Sequence, residues 1–110
     1  VFIIGGADDI SKSLMISDKL GPNSVNLCGK VDLLELSLII KNAQFYLGND
    51  TGPMHISSMV GTKIAAVFNS FNNVNKFYPT GNCLIFRNPK SVKFINKDDV
   101  LSKLILNKYI

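Results

Sequence analysis

One histidine, two cysteines and no Cys-x-x-Cys pair in 110 residues leave this chain without the ligand spacing that a zinc site needs. Cys28 and Cys83 stand far apart, each beside apolar, strand-like residues, a usage that predicts two buried free thiols in a reducing compartment and so a cytoplasmic protein. Charge is scarce as well. At 18% charged residues against 46% hydrophobic ones the composition excludes a disordered chain. No apolar run reaches the roughly 18 residues of a membrane span, and no secretory signal is visible. The net charge of +4 is scattered over Lys12, Lys30, Lys63, Lys76, Lys93 and Lys108. Scatter of this kind marks solvated faces rather than the clustered, aromatic-interleaved patch of a nucleic-acid binder. It supports only a mild attraction to anionic ligands or lipid head groups.

What is present is enough for one core. A chain of this length buries roughly 65% of its unfolded surface, so residues 1–110 are read as a single domain. It starts at Val1, without a methionine and inside a strand-like run, which predicts a piece of a longer protein.

The run from Val1 to Ile4 ends in Gly5-Gly6, the pattern of a strand buried on both faces followed by a tight turn. Asp8 and Asp9 then open an amphipathic helix through Ile10, Leu14 and Leu20, stopped by Gly21-Pro22. Ser24 to Leu27 gives a second short strand. Cys28-Gly29-Lys30 turns into Asp32-Leu-Leu-Glu35, which predicts a capping box and a helix through Leu33, Leu36, Leu38, Ile39 and Ile40 to Asn42. Gln44 to Leu47 returns as a strand, Pro53 to Val60 as a short helix, and Thr62 to Phe68 as a β-branched, apolar strand. Asn69 to Pro79, with Asn72, Asn73 and Asn75, reads as a loop long enough to bind something. Cys83 to Phe86 makes a last strand, and Asn96 caps a terminal helix through Val100, Leu101, Leu104 and Ile105.

Strands that are nearly all apolar and alternate with helices predict an α/β fold: a three-layer, Rossmann-like domain with a mostly parallel sheet and helices on both faces. In such sheets ligands bind outside the carboxyl ends of the strands. That rule gathers Gly5-Gly6 with Asp8 and Asp9, Gly29 to Val31, Asn49 to His55 and the Asn-rich loop as candidate site segments. Within them, Tyr46 to Gly61 organises the chain: a strand end, a tight turn and a helix with Pro53 in its first turn, where the missing N–H does no harm. N–H groups around Thr51, Gly52 and Met54 would point off the helix end, beside the positive pole of its dipole, and favour a phosphate. The alternative is that Asp50 and Thr51 merely cap the helix.

Gly48-Asn-Asp-Thr-Gly-Pro-Met-His55, with its small-residue helix and the Gly61-Thr-Lys turn after it, resembles glycosyltransferase family 9, the bacterial ADP-heptose:lipopolysaccharide heptosyltransferases. Ile3 to Gly6, Asn26 to Leu36 and Phe77 to Pro79 are similar to that family's paired-glycine strand, Asn-Leu-x-Gly turn and aromatic-to-proline loop. The resemblance covers nearly the whole chain. It implies the carboxyl-terminal, nucleotide-binding half of a GT-B enzyme, two Rossmann-like domains facing a cleft. It departs after Val67-Phe68, where Asn69-Ser70-Phe71 stands in place of a Gly-Pro-Thr turn, which leaves the donor sugar open.

Carried onto these residues, the resemblance implies a donor site of Gly6, Asp9, Lys30, Val31, Asp50, Thr51, Gly52, Pro53, Met54 and His55. Thr51, Gly52 and their neighbours would hold the diphosphate through backbone N–H groups. The Asp50 carboxylate would repel phosphate and so is read as bracing the turn by accepting backbone N–H bonds. His55 would donate to a phosphate oxygen or simply pack. Asp8 or Asp9 would accept from the ribose hydroxyls or complement a helix dipole, and Lys30-Val31 would flank adenine or lie in solvent. Met54 and Met59 are expected in the core. The implied reaction is transfer of heptose from ADP-heptose to the lipopolysaccharide inner core, with inversion, no metal and no cofactor. The base is expected in an amino-terminal domain outside this chain, so the chain alone should be inactive. Partners would be the nucleotide-sugar donor, the lipopolysaccharide acceptor through that other domain and, peripherally, the inner membrane. Another GT-B nucleotide-sugar enzyme, a UDP-sugar transferase or epimerase, and a non-catalytic anion-binding module remain alternatives.

Overall fold

A computed structural model describes residues 1–69 and 81–110; the binding loop expected from Asn69 to Pro79, with its Phe77-Tyr78-Pro79 turn, lies outside the described residues but for Asn69. The described chain forms two compact units, Val1–Glu35 and Leu36–Ile110.

In the first unit, β1 (Phe2–Ile3) pairs in parallel with β2 (Val25–Asn26), with Phe2 opposite Val25 and Ile3 opposite Asn26. Between them runs α1 (Ile10–Leu20), entered through a 3-10 turn at Ala7–Asp9 and left through a second at Gly21–Asn23. The helix has the expected ends, and a different residue is buried. Ser13 lies at 3% exposure while Leu14 is half exposed. The reason is a polar contact: the Ser13 hydroxyl donates to the Ile10 carbonyl at 2.7 Å and accepts from Asn26 Nδ2 at 2.9 Å, which turns that face of α1 towards β2. Asn26 in turn accepts the Cys28 N–H at 3.1 Å, so one asparagine ties helix, strand and turn together. The capping box forms as read. Asp32 N–H donates to Glu35 Oε2 and Glu35 N–H to Asp32 Oδ1, both at 2.8 Å, and α2 (Leu33–Lys41) follows.

The second unit carries a parallel sheet of order β3-β4-β5, from Tyr46–Asn49, Ile64–Phe68 and Cys83–Arg87. β3 runs two residues further than the sequence pattern suggests, because Gly48 and Asn49 pair with Ala66 and Val67. Short α3 (Gly52–Val60) contacts β3 and β4 and ends at Gly61, whose φ of 80° is the left-handed conformation that glycine takes readily. Last comes α4 (Lys97–Leu106), whose N-cap Asn96 side chain accepts the Asp98 N–H at 2.8 Å.

β4 is the middle strand and the best buried. Ala65 joins Phe86, Leu104 and Tyr109 in a core packed by Phe45, Val67, Leu84, Ile95 and Val100. Ile64, Ala66 and Phe68 alternate with these and are buried as well, as a strand covered on both faces requires. Tyr109 closes the unit after α4. Its hydroxyl donates to the Ile64 and Asn82 carbonyls at 3.1 and 3.2 Å, its own carbonyl accepts from Gln44 Nε2 at 2.6 Å, and its ring meets Phe45 edge-on at 5.6 Å. Thr62 adds a buried bond to the Ile40 carbonyl at 2.8 Å. Two expectations about the core need correction. Met54 is fully buried, but Met59 is 86% exposed on α3; and Cys83 is half-buried, whereas Cys28 is buried, both thiols being free.

Candidate functional site

The turn from β3 into α3 begins with Asn49, at the carboxyl end of its strand, and reaches the helix at Gly52 with Pro53 in the first turn. Thr51 is the N-cap in extended conformation (φ −141°, ψ 174°), yet its side chain makes no bond to the helix. Its hydroxyl turns back to the Asn49 carbonyl at 3.4 Å. The helix start is thus not closed by a side chain, contrary to the capping alternative.

The free donors are fewer than expected. Met54 N–H and His55 N–H both donate to the Thr51 carbonyl, at 3.0 and 3.4 Å, and Pro53 has none. Among the described residues the Gly52 N–H has no acceptor. Among the described residues, no atom lies within 4 Å of where a Gly52 Cβ would stand. Met54 contributes no side-chain surface, being buried.

Asp50 and His55 meet across the turn. His55 Nε2 lies 3.4 Å from Asp50 Oδ1, with the carboxylate nearly buried and the imidazole half exposed. The carboxylate lies against the imidazole, which stays half exposed at the helix start. Outside the carboxyl ends of β3 and β4, a concavity of about 270 Å³ is lined by Asn49, Asp50, Thr51, Val67, Asn69 and Val92. That is where the strand-end rule puts a ligand. Val67 and Val92 carry no chemical signature in the sequence, and only the sheet topology brings them there.

Tyr46 also belongs to this neighbourhood, although sequence reasoning gave it no role. Burial pushes its phenol above the ordinary value of 10.0, and a hydrogen bond from the Thr51 side chain opposes that shift. The signal that would have found it is Tyr-x-Gly on a strand, which puts a long side chain beside a residue that has none.

The remaining predicted residues lie in the first unit. Asp9 closes its own turn, its Oδ2 accepting the Gly6 N–H at 3.2 Å. A Cβ on Gly5 would stand 3.0 Å from Asp9 Oδ2 and 3.1 Å from Cys28 Sγ, so the first glycine of the pair allows a close approach. Lys30 Nζ donates to the Asn26 carbonyl at 3.0 Å, and Val31 follows half-buried. Among the described residues no group of histidine, cysteine and acidic side chains could hold a metal ion, and no helix is long and apolar enough to cross a membrane.

These observations define a parallel α/β protein whose candidate site is a proline-led helix start, free of a side-chain cap, at the strand carboxyl ends. The chain belongs to glycosyltransferase family 9: residues 1–90 match the model of "Glycosyltransferase family 9 (heptosyltransferase)". It is similar to lipopolysaccharide heptosyltransferase 3 of Escherichia coli, with 34% identity over 53 residues, 48% of this chain and 16% of that protein. Its fold is similar to the crystal structure of a family 9 glycosyl transferase from Veillonella parvula, with a TM-score of 0.85 at 18% identity, over 96% of this chain and 35% of that one. The chain therefore spans about a third of the solved structure that it matches, and its match to the curated relative covers less of that protein still.

Proposed function

We propose that this chain is the donor-binding part of an inverting glycosyltransferase that moves heptose from ADP-heptose to the inner core of lipopolysaccharide. The observation that carries the reading is the helix start at Thr51 and Gly52, free of a side-chain cap and opening beside the concavity at the strand ends. Family membership supports a transferase acting on a nucleotide sugar.

Glycosyl transfer needs a base for the acceptor hydroxyl and stabilisation of the charge that grows on the departing diphosphate. The second can come from this chain. The Gly52 N–H and the dipole of α3 face the growing charge, and His55, held by Asp50, adds a donor at the same helix end. Proton abstraction falls to a carboxylate outside the 110 residues, so the isolated chain binds nucleotide and transfers no sugar.

The test is an NMR amide titration of the chain with ADP, UDP and inorganic phosphate in parallel. Selective movement of the Thr51, Gly52 and Met54 amides by ADP is the expected result. Stronger binding of UDP would redirect the reading to a different nucleotide-sugar enzyme, and no response at millimolar ligand would sink it.

A further inference from the structure

Arg87 ends β5, and the segment after it, residues 88–94, is folded by its own asparagine. Lys90 N–H donates to Asn88 Oδ1 at 2.9 Å, and Asn88 Nδ2 donates to the Phe94 carbonyl at 3.4 Å. Ser91 Oγ accepts the Lys93 N–H at 3.3 Å and so caps the 3-10 turn Val92–Phe94. These short polar side chains are spent on the loop's own backbone. Arg87, Lys90, Val92, Lys93 and Phe94 are left exposed, Phe94 at 64%.

Lys103 reaches the same place from α4. A concavity of about 200 Å³ is lined by Arg87, Phe94, Asp99 and Lys103 among others, and Lys103 Nζ stands 5.8 Å from the centre of the Phe86 ring. Among the described residues none of Arg87, Lys90, Lys93 and Lys103 forms an ion pair; Asp99, in the same concavity, offsets one of these charges at most. Cations that look scattered along the sequence are thus gathered by the fold into an unneutralised patch, with an aromatic ring and a valine among them. The charges favour an anionic partner, whereas Phe94 and Val92 favour an apolar one. An anionic bilayer surface offers both side by side, phosphates above and acyl chains below. A nucleic acid would take the cations and stack on the ring, but gives Val92 no contact.

We infer that the loop of residues 87–94, with Lys103 beside it, docks this protein on an anionic lipid surface, its cations against headgroup phosphates and its Phe94 ring at the headgroup level. Val92 also lines the concavity outside β3 and β4, so a chain docked through this loop carries the candidate site to the lipid.

Co-sedimentation of the chain with vesicles of phosphatidylcholine alone, and of phosphatidylcholine mixed equally with phosphatidylglycerol, is the test. Binding is expected to the mixed vesicles only, and should weaken as salt rises. A cation near such a surface changes partitioning about fivefold, so Lys90→Gln with Lys93→Gln should lower it about 25-fold. Phe94→Ser, which removes the ring and keeps every charge, should lower it severalfold. The amides of Ile64 to Phe68 report whether the sheet is intact in each variant. Lys12→Gln with Lys19→Gln takes the same charge from the first unit and should leave binding unchanged. An equal loss in that control would mean that overall charge and not the loop binds lipid, and would overturn the inference. So would equal sedimentation with both vesicles, none with either, or full binding by the Lys90 and Lys93 variant. Release from the mixed vesicles by single-stranded DNA at equal phosphate concentration would assign the surface to nucleic acid instead. None of these outcomes bears on the helix start at Thr51, whose titration uses soluble ligands.

Discussion

Tyr109, one residue from the end of this chain, should be among its most sensitive positions. The side chain is fully buried in the core of the second unit, and its hydroxyl bonds the Ile64 and Asn82 carbonyls. Tyr109→Phe removes the hydroxyl and keeps the ring against Phe45. The Asn82 carbonyl retains the Ile64 N–H at 3.0 Å and Ile64 stays paired in the β4–β5 ladder, so neither carbonyl is stranded and the expected cost is about 1 kcal/mol. In a domain of this size that lowers the melting temperature by roughly 4–8 °C. Tyr109→Ala also empties the ring's place beside Ala65, Phe86 and Leu104, for which large-to-small core changes cost about 3–5 kcal/mol. That is a fifth or more of the roughly 5–15 kcal/mol that holds a typical domain folded. Urea denaturation followed by far-UV circular dichroism measures both, with hydrogen exchange at the Ala65 and Ala66 amides localising the loss to the second unit. A Tyr109→Ala variant within about 1 kcal/mol of wild type would refute the argument, because no well-packed ring can be removed at so small a cost.

Alkaline pH should act through the same residue. Burial raises the Tyr109 phenol above 10.0, with the nearby Cys83 adding to the shift, and burial raises Tyr46 likewise. A folded-state pKa above the unfolded one means that the native state holds the proton longer, so the stabilisation is complete below about pH 10 and is lost as pH climbs through the raised values. Denaturation midpoints should fall above that pH, and less steeply in Tyr109→Phe; a midpoint flat to pH 11 would contradict the burial. Thr62→Val should cost about 1 kcal/mol in the same urea assay, since it removes a buried hydrogen bond while preserving the shape of the side chain, the Ile40 carbonyl keeping the Ala43 N–H at 3.0 Å.

Much of this fold was legible because its signals are local. Asp32 with Glu35, Asn96 before Lys97, Pro53 at a helix start and Gly61 past a helix end act within one turn of their own position, and each sits as its type requires. Apolar runs located the strands to within two residues. The misses share the opposite property. Ser13 is buried because Asn26 reaches it, and Tyr109 because Ile64 and Asn82 lie beneath its hydroxyl; neither partner is near in sequence, and no periodicity announces either. At the site, the anion-favouring turn was readable from Thr51, Gly52 and Pro53. That the Thr51 hydroxyl faces the strand was not, since composition and spacing do not set a side-chain rotamer. Met59 shows the limit of residue type as a guide: a large apolar side chain on a short helix can face solvent, since apolar atoms make up much of any folded surface.

The bond between Tyr109 and Ile64 also sets an order of events during synthesis. It joins positions 45 residues apart, with β4 made first. At translation rates of about 5–20 residues per second, Ile64 to Phe68 waits roughly two to nine seconds for the side chain that will cover part of it. In that interval an apolar, uncharged strand has left the ribosome without its lid, the kind of segment that pairs with other chains when concentration allows. Until Tyr109 emerges, β4 is thus a segment that a chaperone would be expected to cover.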